Sequence, residues 1–103
     1  MSPDEIAERR LKPRISGPIA AVLIGTDRRG ESFKIETALD NLSVGGLHAQ
    51  IERQVEVKSL LFALIRFAGM EVEASGVVCR VESQPDGMFG LGVAFESYQV
   101  LGG

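Results

Sequence analysis

The chain has few of the residues on which most enzyme and metal sites depend. It contains one histidine, His48, and one cysteine, Cys79, which supply neither a metal cluster nor a Cys/His nucleophile pair. We therefore expect no enzyme, no metal and no cofactor. A lone cysteine also excludes an internal disulfide and suits a reducing cytoplasm. Because its neighbours are Val77, Val78 and Val81, we expect Cys79 to be a small core residue.

Long apolar runs and aromatic platforms are missing as well. No stretch reaches the roughly 18 to 20 apolar residues of a membrane-spanning helix. The acidic start, with Asp4, Glu5 and Glu8, does not resemble a signal peptide, so we expect a cytoplasmic protein without membrane insertion. Five Phe, one Tyr and a net charge of −3 argue against nucleic acid polymers. A small barrel for single-stranded nucleic acid is therefore a weaker alternative.

Positive charge is concentrated near the N-terminus. Residues 1–30 hold six Lys/Arg and four Asp/Glu, whereas the rest of the chain holds five and ten. Arg9, Arg10 and Arg14 fall within six residues. A guanidinium binds phosphate through two parallel hydrogen bonds and stacks on flat rings. The cluster favours a site for one compact anion over a long polyanion.

A second polar segment follows at Asp40-Asn41-Leu42-Ser43-Val44-Gly45-Gly46, and it predicts a tight turn. Asn41 and Ser43 carry hydrogen-bonding groups that suit a base edge. The glycines let the backbone come close to a ligand because they have no Cβ. The two segments together indicate a site for a small anion that carries aromatic bases.

Both segments resemble the signatures of the PilZ family. Arg10 and Arg14, with Pro13 before the second, match RxxxR, and Asn41 to Gly46 match (D/N)xSxxG. The resemblance covers roughly residues 8 to 98. It implies a six-stranded antiparallel β-barrel that binds the bacterial second messenger cyclic di-GMP.

The resemblance also implies a role for each matched residue. Arg10 and Arg14 would hold phosphate oxygens and stack on guanine faces, and Asn41 would hydrogen-bond a guanine edge. Ser43 would hold a phosphate or fix the turn. Gly46 would let the backbone turn beneath the ligand.

The implied receptor has two parts. Residues 1–16 form a flexible arginine-rich switch arm, and residues 17–101 form the barrel. The ligand would order the arm onto the barrel. Arg9 adds a cation ahead of the RxxxR match, so we expect two stacked ligands per chain rather than one.

The residue pattern predicts an all-β fold without help from the resemblance. Six apolar or alternating segments are separated mostly by short turns: Ile19–Ile24, Phe33–Leu39, Leu47–Ile51, Val55–Phe67, Met70–Val81 and Phe89–Phe95. Such a sheet closes on itself to protect its edges. His48 should face outward, and a change of apolar phase near Gly76 predicts a bulge. Little or no C-terminal helix is expected, because only residues 97–103 remain.

The fourth segment is apolar on both faces. Leu61, Ala63, Ile65 and Phe67 alternate with Leu60, Phe62 and Leu64. One set fills the barrel, and the other needs cover. Either residues 3–9 or 97–101 provide it, or the Leu60, Phe62 and Leu64 surface is a homodimer interface or binds a protein partner. The alternative function is accordingly a PilZ-like interaction module that needs no ligand.

Overall fold

The barrel predicted from the sequence is present. A computed structural model describes residues 15–101, which form six strands and no helix. The strands are β1 Ile15–Thr26, β2 Ser32–Ser43, β3 Gly46–Ile51, β4 Leu60–Phe67, β5 Met70–Ser83 and β6 Phe89–Leu101. All neighbouring pairs are antiparallel, and the order β1-β2-β3-β6-β5-β4 closes the barrel. Strand β6, rather than a helix, runs to Leu101.

Alternating side chains build the core, as the period of two predicts. In β3, Leu47, Ala49 and Ile51 are buried, and His48 faces outward as expected. The largest side chains with almost no exposure come from all six strands: Leu23, Leu39, Ile51, Leu61, Ile65, Val78 and Leu91. Within residues 15–101, no helix exists that could cross a membrane.

The fourth strand is shorter than predicted. It begins at Leu60, and the expectation of a strand from Val55 was wrong for its first five residues. Lys58 has a φ of 79°, which breaks the extended conformation, and its N–H donates to the Val78 carbonyl at 2.7 Å. Val55 is buried all the same, from a loop. The apolar Val55 was therefore assigned to the strand although it is buried in the loop before it.

Cys79 is exposed, so the prediction of a core cysteine was wrong. Val78 and Arg80 pair with consecutive residues of β6, which leaves Cys79 as the extra residue of a bulge. Its thiol donates to the Gly92 carbonyl at 3.2 Å. The predicted irregularity near Gly76 is confirmed by a second register shift there. At this point of β5 the side chain that faces the core is nevertheless that of Val78, and neither Val77 nor Cys79 is buried.

The second apolar face of β4 is open. Leu60, Phe62 and Leu64 are 60%, 53% and 42% exposed. Residues 97–101 continue β6 and do not cover them. Residues 3–9 lie outside the described residues.

Candidate ligand-binding site

The first strand begins beside the second polar segment. Ile15 pairs with Leu42, and Ser16 pairs with Asn41. Residues 15 and 16, which we assigned to the arm, are therefore part of β1. Arg14 precedes Ile15 by one peptide link, about 3.8 Å between Cα atoms. The fold thus brings the start of β1, which the arginine segment precedes in the sequence, next to Asn41.

The five arginines of the N-terminal third of the chain fall into two groups. Arg9, Arg10 and Arg14 lie outside the described residues, so their ligand-binding roles stay predictions. Arg28 and Arg29 lie in the turn after β1, at the far end of a 12-residue strand. At about 3.3 Å per residue, roughly 35 Å separates them from the start of β1. Arg28 and Arg29 are therefore far from the start of β1.

A bulge in β2 directs Asp40 and Asn41 to the same side. Leu39 and Leu42 are both buried, and the register against β3 shifts between Leu39 and Asn41. Asp40 and Asn41 therefore both lie between the inward-facing Leu39 and Leu42, where a regular strand has one residue. Asn41 is half-buried on the outer surface. Bulges often re-aim side chains beside functional sites. This one presents the Asn41 amide next to the point where the chain enters the barrel.

A side-chain hydrogen bond holds the bulge against β3. His48 Nδ1 lies 2.8 Å from Asp40 Oδ2, and the two side chains are 32% and 44% exposed. The sequence pattern singled out Asn41 and Ser43 in this segment, and for His48 it predicted only an outward direction. Regular strand spacing could not reveal this contact, because the bulge changes which residues are neighbours.

Ser43 fixes the hairpin between β2 and β3. Its Oγ accepts the Gly45 N–H at 3.2 Å and lies 3.5 Å from the Gly46 carbonyl oxygen. The turn itself is only Val44 and Gly45, since Asn41 and Ser43 are strand residues. Of the two roles expected for Ser43, the structure shows turn fixation. Contact with a phosphate stays a prediction.

Gly46 is required by the neighbouring strand. A Cβ at this position would overlap the backbone carbonyl oxygen of Val93 in β6. Next to it, the Phe95 N–H donates to the Gly45 carbonyl at 3.0 Å, which draws the hairpin onto β6. Close approach of two backbones thus explains the glycine, and the expected turn beneath a ligand is not needed to explain it.

The opposite end of the barrel is electrostatically balanced. Three arginines and three acidic residues line a cleft there. The amide of Glu31, hydrogen-bonded to the Asp27 carboxylate, lowers the pKa of Asp27 below its ordinary value, against the opposing effect of burial. Arg53 adds to this lowering from 2.9 Å and is neutralised in turn. This cleft offers less net charge to an anion than its arginines suggest.

The part of the chain that the structure describes holds no group of three or more His, Cys, Asp or Glu side chains that could bind a metal ion. The groups around Asn41 are an amide, a hydroxyl, an imidazole and a carboxylate. They suit hydrogen bonding to a polar ring edge, and the nearby arginine segment is chemically suited to phosphate.

Comparison with known proteins bears on the fold. No family model matches the chain, and no curated protein matches it. Among solved structures, the chain is similar to the Bacillus subtilis inhibitor of motility (MotI/DgrA), with a TM-score of 0.69 and 17% sequence identity. The alignment covers 88% of this chain and 44% of that one, so the chain spans less than half of that protein. At this identity the likeness concerns the fold alone, which in this chain is a closed barrel of six antiparallel strands.

Proposed function

We propose that this protein is a PilZ-type regulatory receptor that binds cyclic di-GMP. The observation that carries the proposal is the pairing of Ser16 with Asn41 at the start of β1. The bulge presents the Asn41 amide there, and in the sequence the arginine segment immediately precedes Ile15. Segments more than 20 residues apart in the sequence thereby become neighbours.

The proposed chemistry divides the ligand between the two segments. Arg10 and Arg14 bind phosphate oxygens and stack on guanine rings, while Asn41 hydrogen-bonds a guanine edge. Ordering a segment on binding costs about 2–5 kcal/mol. Hydrogen bonds to charged groups contribute about 1.5–3 kcal/mol each, so several have to form together.

The name of the structural neighbour, an inhibitor of motility, supports a regulatory role in general terms but does not bear on the ligand. We also propose that this chain exerts its regulatory effect by binding another protein. The exposed Leu60, Phe62 and Leu64 favour the second candidate, an interaction module that needs no nucleotide. The two candidates share the partner surface and differ in the ligand.

Titration with cyclic di-GMP in a calorimeter tests the proposal. We expect saturable binding to the full chain. Cyclic di-AMP, which keeps the phosphates and changes the base edge, should bind more weakly. Absence of binding by cyclic di-GMP would reject the receptor and leave the interaction module.

Asn41→Ala should lower the affinity for cyclic di-GMP and narrow its preference over cyclic di-AMP. A hydrogen bond of about 1 kcal/mol corresponds to roughly fivefold in affinity. Calorimetry with both nucleotides measures the change, and thermal melting checks that the strand is intact. Gln99→Ala, on the exposed end of β6, is the matched control. An unchanged preference in Asn41→Ala would contradict base recognition by this side chain.

The number of ligands should depend on Arg9. Two stacked molecules bring four negative charges into one site, whereas Arg10 and Arg14 balance only two. We expect two ligands per wild-type chain and one in Arg9→Leu, counted by calorimetry well above the dissociation constant. A ratio of one for both proteins would remove Arg9 from the site.

A further inference from the structure

An exposed apolar surface runs across two strands on the outside of the barrel. In the ladder between β1 and β4, Ile24 lies opposite Phe62, and Val22 lies opposite Leu64. Val22 and Ile24 are half-buried, whereas Leu60, Phe62 and Leu64 are exposed. We call these five residues the apolar face. Its three exposed members are among the eight exposed large apolar residues within residues 15–101.

A groove continues the apolar face toward the start of β1. Pairing between β1 and β4 ends at Ala21 and Ile65, and beyond that point the strands leave a space of about 420 Å³. Val22, Leu64 and Leu101 contribute apolar side chains to its lining.

The rim of the groove is acidic. Glu36, Glu71, Glu73 and Arg66 line it, and Arg66 Nε lies 3.4 Å from Glu71 Oε1. Among residues 15–101, Glu36 and Glu73 have no ion-pair partner. The groove therefore suits a segment that combines apolar side chains with positive charge.

We propose that residues 3–12 of the same chain bind this surface when no ligand is present. The other candidate cover, residues 97–101, is committed to β6. Residues 3–12 contain the apolar Ile6 and Leu11. Their three acidic residues, Asp4, Glu5 and Glu8, come first, and their three basic residues, Arg9, Arg10 and Lys12, come last, so the positive charge lies in the half nearer to β1. Ile6 contacts the apolar face, and the two arginines pair with Glu36 and Glu73.

The length of the chain permits this contact. From Ile15 to Val22 the path along β1 is seven residues, about 23 Å. Ile6 precedes Ile15 by nine residues, which span up to about 30 Å. The segment therefore reaches Leu64 when it folds back along β1.

Tethering and area favour the chain's own segment over a second copy. A short tether gives an effective concentration in the millimolar range. Stable interfaces bury about 800 Å² per partner, whereas three half-exposed side chains supply on the order of 300 Å². A surface this small binds a tethered segment more readily than a free protein of the same chain.

The contact gives the proposed receptor its switch, and this step rests on the proposed function. Arg9 and Arg10 cannot contact Glu36 and Glu73 and the nucleotide at once. Cyclic di-GMP would then withdraw the segment and uncover Leu60, Phe62 and Leu64. By linkage, loss of the groove contact should strengthen nucleotide binding.

Methyl NMR on the ligand-free full chain tests the contact itself. The variant Arg9→Glu/Arg10→Glu should shift the methyl signals of Val22 and Leu64. The matched control Arg28→Glu/Arg29→Glu makes the same charge change at the opposite end of the barrel and should leave these signals in place. Added salt should reproduce the first result, since exposed ion pairs are screened. Equal spectra for the variant and the control would overturn the proposal.

A spin label decides whether the contact lies within one chain. The label is attached at Ile6→Cys in a Cys79→Ser background, and it should broaden the Val22 and Leu64 methyl signals. Labelled chains are then mixed with isotope-enriched chains that carry no spin label. Broadening of the enriched, unlabelled chains in the mixture would assign the surface to a second copy and overturn the proposal, as would the absence of broadening in both samples. Neither measurement uses cyclic di-GMP, so each outcome is independent of whether the chain binds nucleotide.

Discussion

Gly46→Val is expected to destabilise the barrel strongly and to prevent ligand binding as a consequence. The new Cβ would overlap the Val93 carbonyl oxygen, and the backbone of β6 can move away only by opening the contact between β3 and β6. Overpacking against side chains costs about 1–3 kcal/mol, and here the obstacle is backbone. A loss of about 3 kcal/mol lowers the melting temperature of a domain this size by at least roughly 12 °C. Thermal melting followed by circular dichroism measures the change.

Gly45→Ala is the control from the same hairpin. A Cβ at Gly45 meets only the Ser43 Oγ, at 3.8 Å, so the melting temperature should change little. Gly46→Ala should fall between the two, since it adds the overlapping atom without the branched side chain. A wild-type melting temperature for Gly46→Val would mean that β3 and β6 do not approach as the structure has them.

Arg14→Ala should weaken cyclic di-GMP binding at least tenfold and leave the fold intact. A tenfold loss of affinity corresponds to about 1.4 kcal/mol. One hydrogen bond between a guanidinium and a phosphate contributes about 1.5–3 kcal/mol, so its loss is enough to produce this effect. The fold should be unaffected because Arg14 precedes the first residue of β1. Calorimetry gives the affinity, and thermal melting gives the stability.

Arg28→Ala removes the same charge at the opposite end of the barrel and should bind like the wild type. A general effect of net charge would weaken both variants equally. Wild-type affinity in Arg14→Ala would exclude Arg14 from the site. Failure of the wild type to bind would instead reject the receptor.

Local pattern was enough to predict much of the fold. Alternation placed Leu47, Ala49 and Ile51 inside and His48 outside, because side-chain direction along a strand repeats every two residues. The same reasoning failed at Cys79. A bulge is an unequal count of residues between two strands, and it depends on the partner strand as much as on the local sequence.

The number of strands, their antiparallel closure into a barrel and the apolar character of both faces of β4 could be predicted from the residue pattern. Which residues become neighbours was set by the pairing of strands in the folded barrel. Closure of the barrel separated Arg28 from the start of β1, paired Ser16 with Asn41, and made Gly46 a contact with β6. It also joined Asp40 to His48 and left the apolar face uncovered within the described residues. The physical reason is that register and bulge positions are set by pairing between strands distant in the chain, which no local pattern encodes.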